Sequence, residues 1–424
     1  MLIEFSASNF RSIRSKQTLS LVAGKGDELR RSNTVAISPA LSLVRSAVIY
    51  GANAAGKSNL LIAVQALQNL VSMSNLVQEG ARIAVDPFRL SPECADEPTT
   101  LEIIFEDDGI RYQYGLKLTP ARVTGEWLIA YPHGTKQRWF ERNYMAANDD
   151  YEWKFGSNFK SDRAQRQLSK RVTRANGLFL ATAVQLNDDQ LRPVFAWITR
   201  KFAVINQIQS MNWAVAGDAM TTISSKAILE NLLRAADVGI TGLDLIEEEP
   251  SQQPTFMIQV AGAPPANFFH VKDGQPRNVR VMTLHKTTDG TLVPFELKDE
   301  SQGTIKLLHY GSGLVKALSE GMTILIDEFE TSLHPLLTKR LLEMFHDPEL
   351  NAAGAQLIIT THDTNLLDHD LIRRDQVWFV EKDEVGATIL YSLLDFSPRK
   401  DEVLERGYLR GKFGAIPKLG DFAA

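Results

Sequence analysis

The octapeptide Gly51-Ala-Asn-Ala-Ala-Gly56-Lys57-Ser58 fits the pattern G-x-x-x-x-G-K-[ST], and these residue types at this spacing suit the holding of a chain of phosphates. The glycines let backbone N–H groups turn inward, and the start of a following helix adds its positive dipole end. The Lys57 ammonium would reach the β- and γ-phosphates, and the Ser58 hydroxyl would bind Mg²⁺. Asn53, Ala54, Ala55 and Asn59 complete the stretch expected to line a nucleotide. A second candidate is Thr323-Ile-Leu-Ile-Asp327-Glu328, an apolar run ending in paired carboxylates. Asp327 suits the metal, and Glu328 beside it could take a proton from an attacking water. The same glutamate could instead do no more than stabilise the start of a helix. A third run, Gln356-Leu-Ile-Ile-Thr-Thr-His362, again ends an apolar strand in a polar group, and His362 can hydrogen-bond a γ-phosphate oxygen.

These residues need particular elements to position them. Ala47–Tyr50 reads as a buried strand before the glycine loop, and Leu60, Leu61, Val64, Leu67 and Leu70 or Val71 recur at helical spacing after it, so the motif sits in a strand-loop-helix unit. Leu2 to Phe5 and Gln17 to Leu21 read as a pair of strands at a sheet edge. Between Arg82 and about Trp153, short alternating runs (LEIIF, YQYGLKL, WLIAY, QRWFE) separated by Gly, Pro and Asp predict an antiparallel meander. Helical periodicity over Gln165–Leu180, Leu191–Phe202 and Ala227–Ala236 predicts an α-helical insertion. Strands are expected at Phe256–Val260, Val279–His285 and Val293–Leu297, with a Gly/Pro-rich link over Gly262–Pro276. From Ser301 the pattern alternates helix and strand, as in a parallel sheet with crossover helices. The expected organisation is 1–156, an N-terminal part with the phosphate loop and a β lobe; 157–250, the helical insertion; and 251–424, a C-terminal part completing the α/β domain.

The bulk properties narrow the class of protein. With 424 residues, 44% hydrophobic and 23% charged, the chain has the composition of a globular protein large enough for one or two domains. A single cysteine, Cys94, cannot make an internal disulfide, which suits a reducing cytoplasm. No run approaches the roughly 20 apolar residues that span a bilayer, and the N-terminus reads as a strand, not a signal peptide. The net charge of −5 provides no global field for nucleic acid, so such binding would need a local patch. Lys160, Arg163, Arg166, Lys170, Arg171 and Arg174 form the one basic stretch that could serve, although a solvated helix face is the default reading.

The order of phosphate loop, acidic strand and strand-tip histidine resembles the ABC-type ATPases, including SMC, RecF and OLD-like members. That resemblance implies ATP and Mg²⁺ as cofactors, and a dimer or higher homo-oligomer that sandwiches ATP between subunits. It also implies a signature at the start of a helix that contacts ATP held by the other subunit. Glu300-Ser301-Gln302-Gly303-Thr304 stands in that place, with Ser301 and Gly303 as the contacts, but the usual L-S-G-G-Q is absent and Ser301 could simply cap a helix. Thr331-Ser-Leu-His-Pro335 corresponds to the D-loop, with histidine at the usual aspartate, a variant found in RecF- and OLD-like members and not in transporter cassettes. Arg89 and Gln113 are the candidates for a Q-loop residue. Whole phrases (YGANAAGKSNLL, DEFETSLHPLL, YLRGKFGAIP) are similar to the RloA/AbiLii-type ATPases of abortive-infection loci and to the ATPase subunit of the PARIS anti-phage system. This narrower likeness implies a separately encoded effector, often a Toprim-like nuclease, and a phage trigger. The stretch beyond His362 is too short for a Toprim domain, so nuclease activity is not expected in this chain. The rival expectation is a RecF- or SMC-like DNA-repair ATPase that binds DNA directly, although no long heptad run supports an SMC arm. A small-molecule kinase would not explain ESQGT or His362. The C-terminal Tyr408–Pro417 joins aromatic, basic and glycine residues, and could dock on the core or on a partner.

Overall fold

The computed structural model describes residues 1–205, 220, 222–236, 239–248, 267–272, 275–331, 333–399 and 402–417. Strands β1 (Leu2–Ser8), β2 (Gln17–Ser20), β3 (Thr34–Ser38) and β4 (Leu41–Val44) lead into β5 (Ser46–Tyr50). Every residue of β5 is buried, as are those of β16 (Thr323–Ile326) and β17 (Gln356–Thr360), because these strands have both faces covered. With β11 (Phe202–Ile205), β18 (Val377–Lys382) and β19 (Thr388–Ser392) they form a six-stranded sheet in the order β11-β16-β17-β5-β18-β19. All its pairings are parallel except β18 with β19. The register sets Ile326 beside Ile359 and Thr360 beside Ile49, so the carboxyl ends of β16, β17 and β5 lie side by side.

The phosphate-loop helix, Lys57–Met73, buries Leu60, Leu61, Val64, Leu67 and Val71, the face expected from their spacing. It packs on β11 and on the helix Arg192–Arg200. The meander forms as β6 (Thr99–Asp107), β7 (Ile110–Leu118), β8 (Val123–Tyr131), β9 (Gln137–Met145) and β10 (Asp150–Phe155). Joined by β1 and β2, it makes a seven-stranded antiparallel sheet in the order β10-β9-β8-β7-β6-β1-β2. Alternating burial along β6 shows one face turned inward. Phe105 on that face stacks on Trp197 with ring centroids 4.0 Å apart, tying the lobe to the helical segment.

The 157–250 segment is not purely helical. It supplies β11 to the central sheet and β12 (Ile240–Glu248) to a further sheet with β13 (Asn267–Lys272), β14 (Gln275–Lys286) and β15 (Leu292–Glu296). The helix expected over Gln165–Leu180 is two, Arg163–Val172 and Phe179–Gln185. Tertiary hydrogen bonds break it: Asn176 donates to the Gln78 and Ala81 carbonyls, and Leu178 N–H goes to Ser74 Oγ. The Phe179 and Leu180 N–H groups go to the Glu126 carboxylate. The strand expected at Phe256–Val260 lies outside the described residues, whereas part of the supposed Gly262–Pro276 link is β13. Between β17 and β18 the expected crossover helix is replaced by two short turns, Thr364–Leu366 and Arg374–Gln376. The first is capped by the Asp363 side chain, and the second is held by the buried Arg373–Asp375 pair. The C-terminal segment docks on its own core, where Tyr408 and Phe413 stack on Phe379 with centroids 5.5 and 5.8 Å away. No described helix is long and apolar enough to cross a membrane.

Candidate functional site

Because β16, β17 and β5 end together, the three motifs converge at one edge of the sheet, where ligands bind in open α/β folds. The loop after β5 is packed closely against β18 and β19. Gly56 adopts φ +116°, and a side chain at this position would also collide with Thr388 on β19. A side chain at Gly51 would meet the Val380 carbonyl of β18. Ala54, at φ +62°, marks the same tight curl. Thr388 Oγ1 donates to the Ala55 carbonyl at 3.0 Å and lies 2.7 Å from Ser12 Oγ, so β19 and the turn between β1 and β2 close the loop from both ends of the chain.

Lys57 is buried at the start of its helix. Its ammonium donates to the Gly51 carbonyl at 2.7 Å, the Ala52 carbonyl at 3.3 Å and Nε2 of His362 at 3.0 Å. The last bond requires Nε2 to be the unprotonated imidazole nitrogen. Burial pushes the Lys57 ammonium below its ordinary pKa, against the opposing pull of Asp327, Glu330 and Glu328. Burial and the facing Lys57 likewise hold the His362 imidazole below its usual value. An ammonium resting on two loop carbonyls and a neutral imidazole has no carboxylate bonded to it among the described residues, so an incoming phosphate would be its first anionic partner there.

The acids are held by the neighbouring strand. Thr360 Oγ1 donates to Asp327 Oδ1 and accepts the Glu328 N–H at 2.8 Å. Glu328 sits at φ +48°, a conformation rare for a residue with a side chain, and its carboxylate is exposed at the edge. Glu330 accepts the His362 N–H at 2.7 Å, which fixes the histidine backbone from the acidic turn. Lys57, His362, Asp327 and Glu328 are thus brought together, with Ser58 exposed beside Lys57.

Other expected residues lie elsewhere. Asn59 turns toward the N-terminal segment, donating to Ser12 Oγ at 2.7 Å and accepting from Arg11 at 3.4 Å. Ser301 caps its own helix, accepting the Thr304 N–H at 3.1 Å, with Gly303 in the first turn. Among the described residues no hydrogen bond joins either to the phosphate loop. Gln113 is bonded to Glu102 and Tyr131 within the lobe sheet, so it is not at the site. Arg89 pairs loosely with Asp86 at 3.6 Å and lines a groove with Arg11, Asn59 and Lys382. Residues that the motifs did not flag are Thr360, Glu330, Thr388 and Ser12. The first two were within reach, as Thr360 stands two before His362 and Glu330 two after Glu328, but Ser12 and Thr388 carry no local signal.

The sequence model of the family described as "AAA domain, putative AbiEii toxin, Type IV TA system" matches residues 46–368, which span the whole of this constellation. The chain belongs to that family. It is an AAA-family protein with an α/β P-loop fold and a β-rich lobe. No curated protein matches the sequence. Solved structures similar to it include the SMC head domain from Thermotoga maritima, at 12% identity over 92% of this chain and 98% of that one, with a TM-score of 0.39. Another is the SMC head bound to the C-winged helix domain of ScpA, at 12% identity over 92% and 97%, with a TM-score of 0.44. A third is the SMC head with an extended coiled coil bound to the ScpA C-terminal domain from Pyrococcus furiosus, at 12% identity over 93% and 97%, with a TM-score of 0.41.

Proposed function

We propose that this chain binds and hydrolyses Mg-ATP as the regulatory subunit of a bacterial anti-phage, abortive-infection system, controlling a separately encoded toxic effector. The observation that carries the ATPase half is the 3.0 Å contact between Lys57 and His362 beside Asp327 and Glu328. The glycine loop, packed so closely on β18 and β19 that Gly51 and Gly56 admit no side chain, supports the same reading. The effector half is supported by the toxin system named in the family description and by the likeness to abortive-infection ATPases.

When bound, Mg-ATP supplies the phosphoanhydride bond that water cleaves to ADP and phosphate. The residues of the chain do the rest. Backbone N–H groups of the loop and the helix start hold the phosphates. Lys57 would exchange its loop carbonyls for phosphate oxygens, and Ser58 and Asp327 would hold the Mg²⁺. Glu328 accepts the proton of the attacking water, and His362 binds the γ-phosphate edge. Ser301 and Gly303 of a second copy complete each site, so binding closes a homodimer and hydrolysis loosens it. The measurement is the mass of Glu328→Gln in ATP, together with a pull-down of the neighbouring gene's product. A stable ATP-dependent dimer, and an effector that co-purifies and stays silent until a phage factor is added, are expected. A monomeric Glu328→Gln chain with normal turnover would sink the assignment of the base, and ATP-dependent, salt-sensitive DNA binding without an effector would replace defence with repair.

A further inference from the structure

Three carboxylates, Asp327, Glu328 and Glu330, crowd four consecutive positions at the sheet edge. Like charges this close destabilise one another unless cations face them. Among the described residues the only buried lysines are Lys57 and Lys306, and the acids of this turn pull on both. Lys57 is the one a phosphate would draw away, so Lys306 is the cation that stays.

Lys306 lies in the second turn of the helix Gln302–Glu320, in an otherwise apolar run with Ile305, Leu307 and Leu308, all buried. It is only 2% exposed. Its ammonium donates to the Thr331 carbonyl and lies 5.1 Å from the centroid of the Tyr310 ring. Thr331 in turn holds Glu328. Its N–H donates to the Glu328 carbonyl at 3.0 Å, and its hydroxyl to Glu328 Oε2 at 3.4 Å. The Glu328 turn is therefore gripped at one end by Thr360 of β17 and at the other by Lys306. Glu328 needs such a grip because its backbone is at φ +48°. A buried ammonium is expensive to desolvate, and an apolar residue would fill this helix position more cheaply.

We infer that Lys306 is a positioning residue for hydrolysis, clamping the Glu328–Thr331 turn so that the Glu328 carboxylate faces the attacking water. The inference rests on the reading of Glu328 as the base. It also gives the Ser301 helix a second duty. The same helix whose first turn is proposed to meet the ATP of a second copy is tied at Lys306 to the base that serves its own ATP. Closure on one site is thus felt at the other.

The test compares steady-state ATPase kinetics, nucleotide affinity and melting temperature for the wild-type chain, Lys306→Met, Lys306→Arg, Glu328→Gln and the Lys306→Met/Glu328→Gln double variant. Lys306→Met keeps the stem and removes the charge; relief of the ammonium's desolvation offsets the loss of the cation facing the acids, so its melting temperature should change little. Its kcat should fall about tenfold or more, while ATP affinity changes less than about twofold. Lys306→Arg should recover part of the rate. The double variant should be no slower than Glu328→Gln alone, because Lys306 acts through that carboxylate. If Lys306→Met does not fold, Lys306→Leu, which likewise cannot donate to the Thr331 carbonyl, is expected to show the same kcat loss. An unchanged kcat in folded Lys306→Met or Lys306→Leu overturns the inference, as do losses that multiply in the double variant. Normal turnover by Glu328→Gln overturns the base assignment itself, and the Lys306 inference falls with it.

Discussion

Two clusters of charge, each setting carboxylates near a buried cation, are finished differently. In the lobe, Glu126 and Arg142 are both fully buried, with Oε2 3.0 Å from Nε. The Glu126 oxygens accept from the Tyr114 hydroxyl at 3.0 Å and from the Phe179 and Leu180 N–H groups at 2.7 and 2.9 Å. That carboxylate is saturated, and it serves to lock the helix Phe179–Gln185 onto the meander. At the sheet edge, Lys57 rests on carbonyls and an imidazole, Glu328 is exposed, and Glu330 has one buried oxygen without a partner. Burial alone does not separate structural from functional charge. Nor does an unfilled hydrogen bond, since Arg142 Nη1 in the lobe is also buried without a partner; the exposed carboxylate at a strand edge does.

The comparison breaks if stability and chemistry do not separate between the two clusters. The largest effect is expected at the edge, where Glu328→Gln should slow ATP hydrolysis by about 10²–10⁴-fold, the usual share of a general base, without lowering the melting temperature. Next is the lobe. Arg142→Ala leaves the Glu126 carboxylate buried and unpaired, so denaturant unfolding should show a loss of about 3–5 kcal/mol, with near-normal turnover in the fraction that remains folded. A smaller effect is expected for Lys57→Ala. ATP affinity should drop roughly ten- to hundredfold, the worth of about 1.5–3 kcal/mol for bonds to a charged group, measured by calorimetric titration. Burial disfavours the Lys57 ammonium in the free chain, so the nucleotide-free melting temperature should hold or rise.

The smallest effect concerns a third, purely structural group. His346 is buried against Ser46 Oγ at 2.8 Å, and burial pushes its pKa down to about 3. The unfolded chain would protonate it near pH 6.5, so between those values the unfolded state binds the extra proton and stability falls as pH falls. Each such histidine adds about 1.4 kcal/mol per pH unit to that slope, and His309, also lowered to about 3, contributes a second. Unfolding curves from pH 6 to 5 should lose one proton of dependence in His346→Gln. An unaltered slope would mean that the imidazole is not held neutral.

Much of the site was legible in residue order because its chemistry is local. The phosphate loop lies within eight consecutive residues, and the acidic pair and His362 each follow an uninterrupted apolar run of buried-strand length. The amphipathic face of the phosphate-loop helix and the period-two meander were readable for the same reason, since periodicity over a few turns or strands reports which face is buried. What failed locally was decided at a distance. The helix expected through Leu180 breaks because Glu126 captures its second half, and β11 joins the central sheet because β16 offers a parallel partner.

The sequence by itself therefore determined which groups could hold phosphate, metal and a proton, since those are properties of side-chain type and short spacing. The tertiary structure alone decided that Lys57 meets His362 across 305 positions, that Thr388 and Ser12 close the loop, and that Lys306 reaches Thr331. Those contacts follow from the strand order β16-β17-β5-β18-β19, which is set by how covered strands pack and not by any residue's neighbours in the chain.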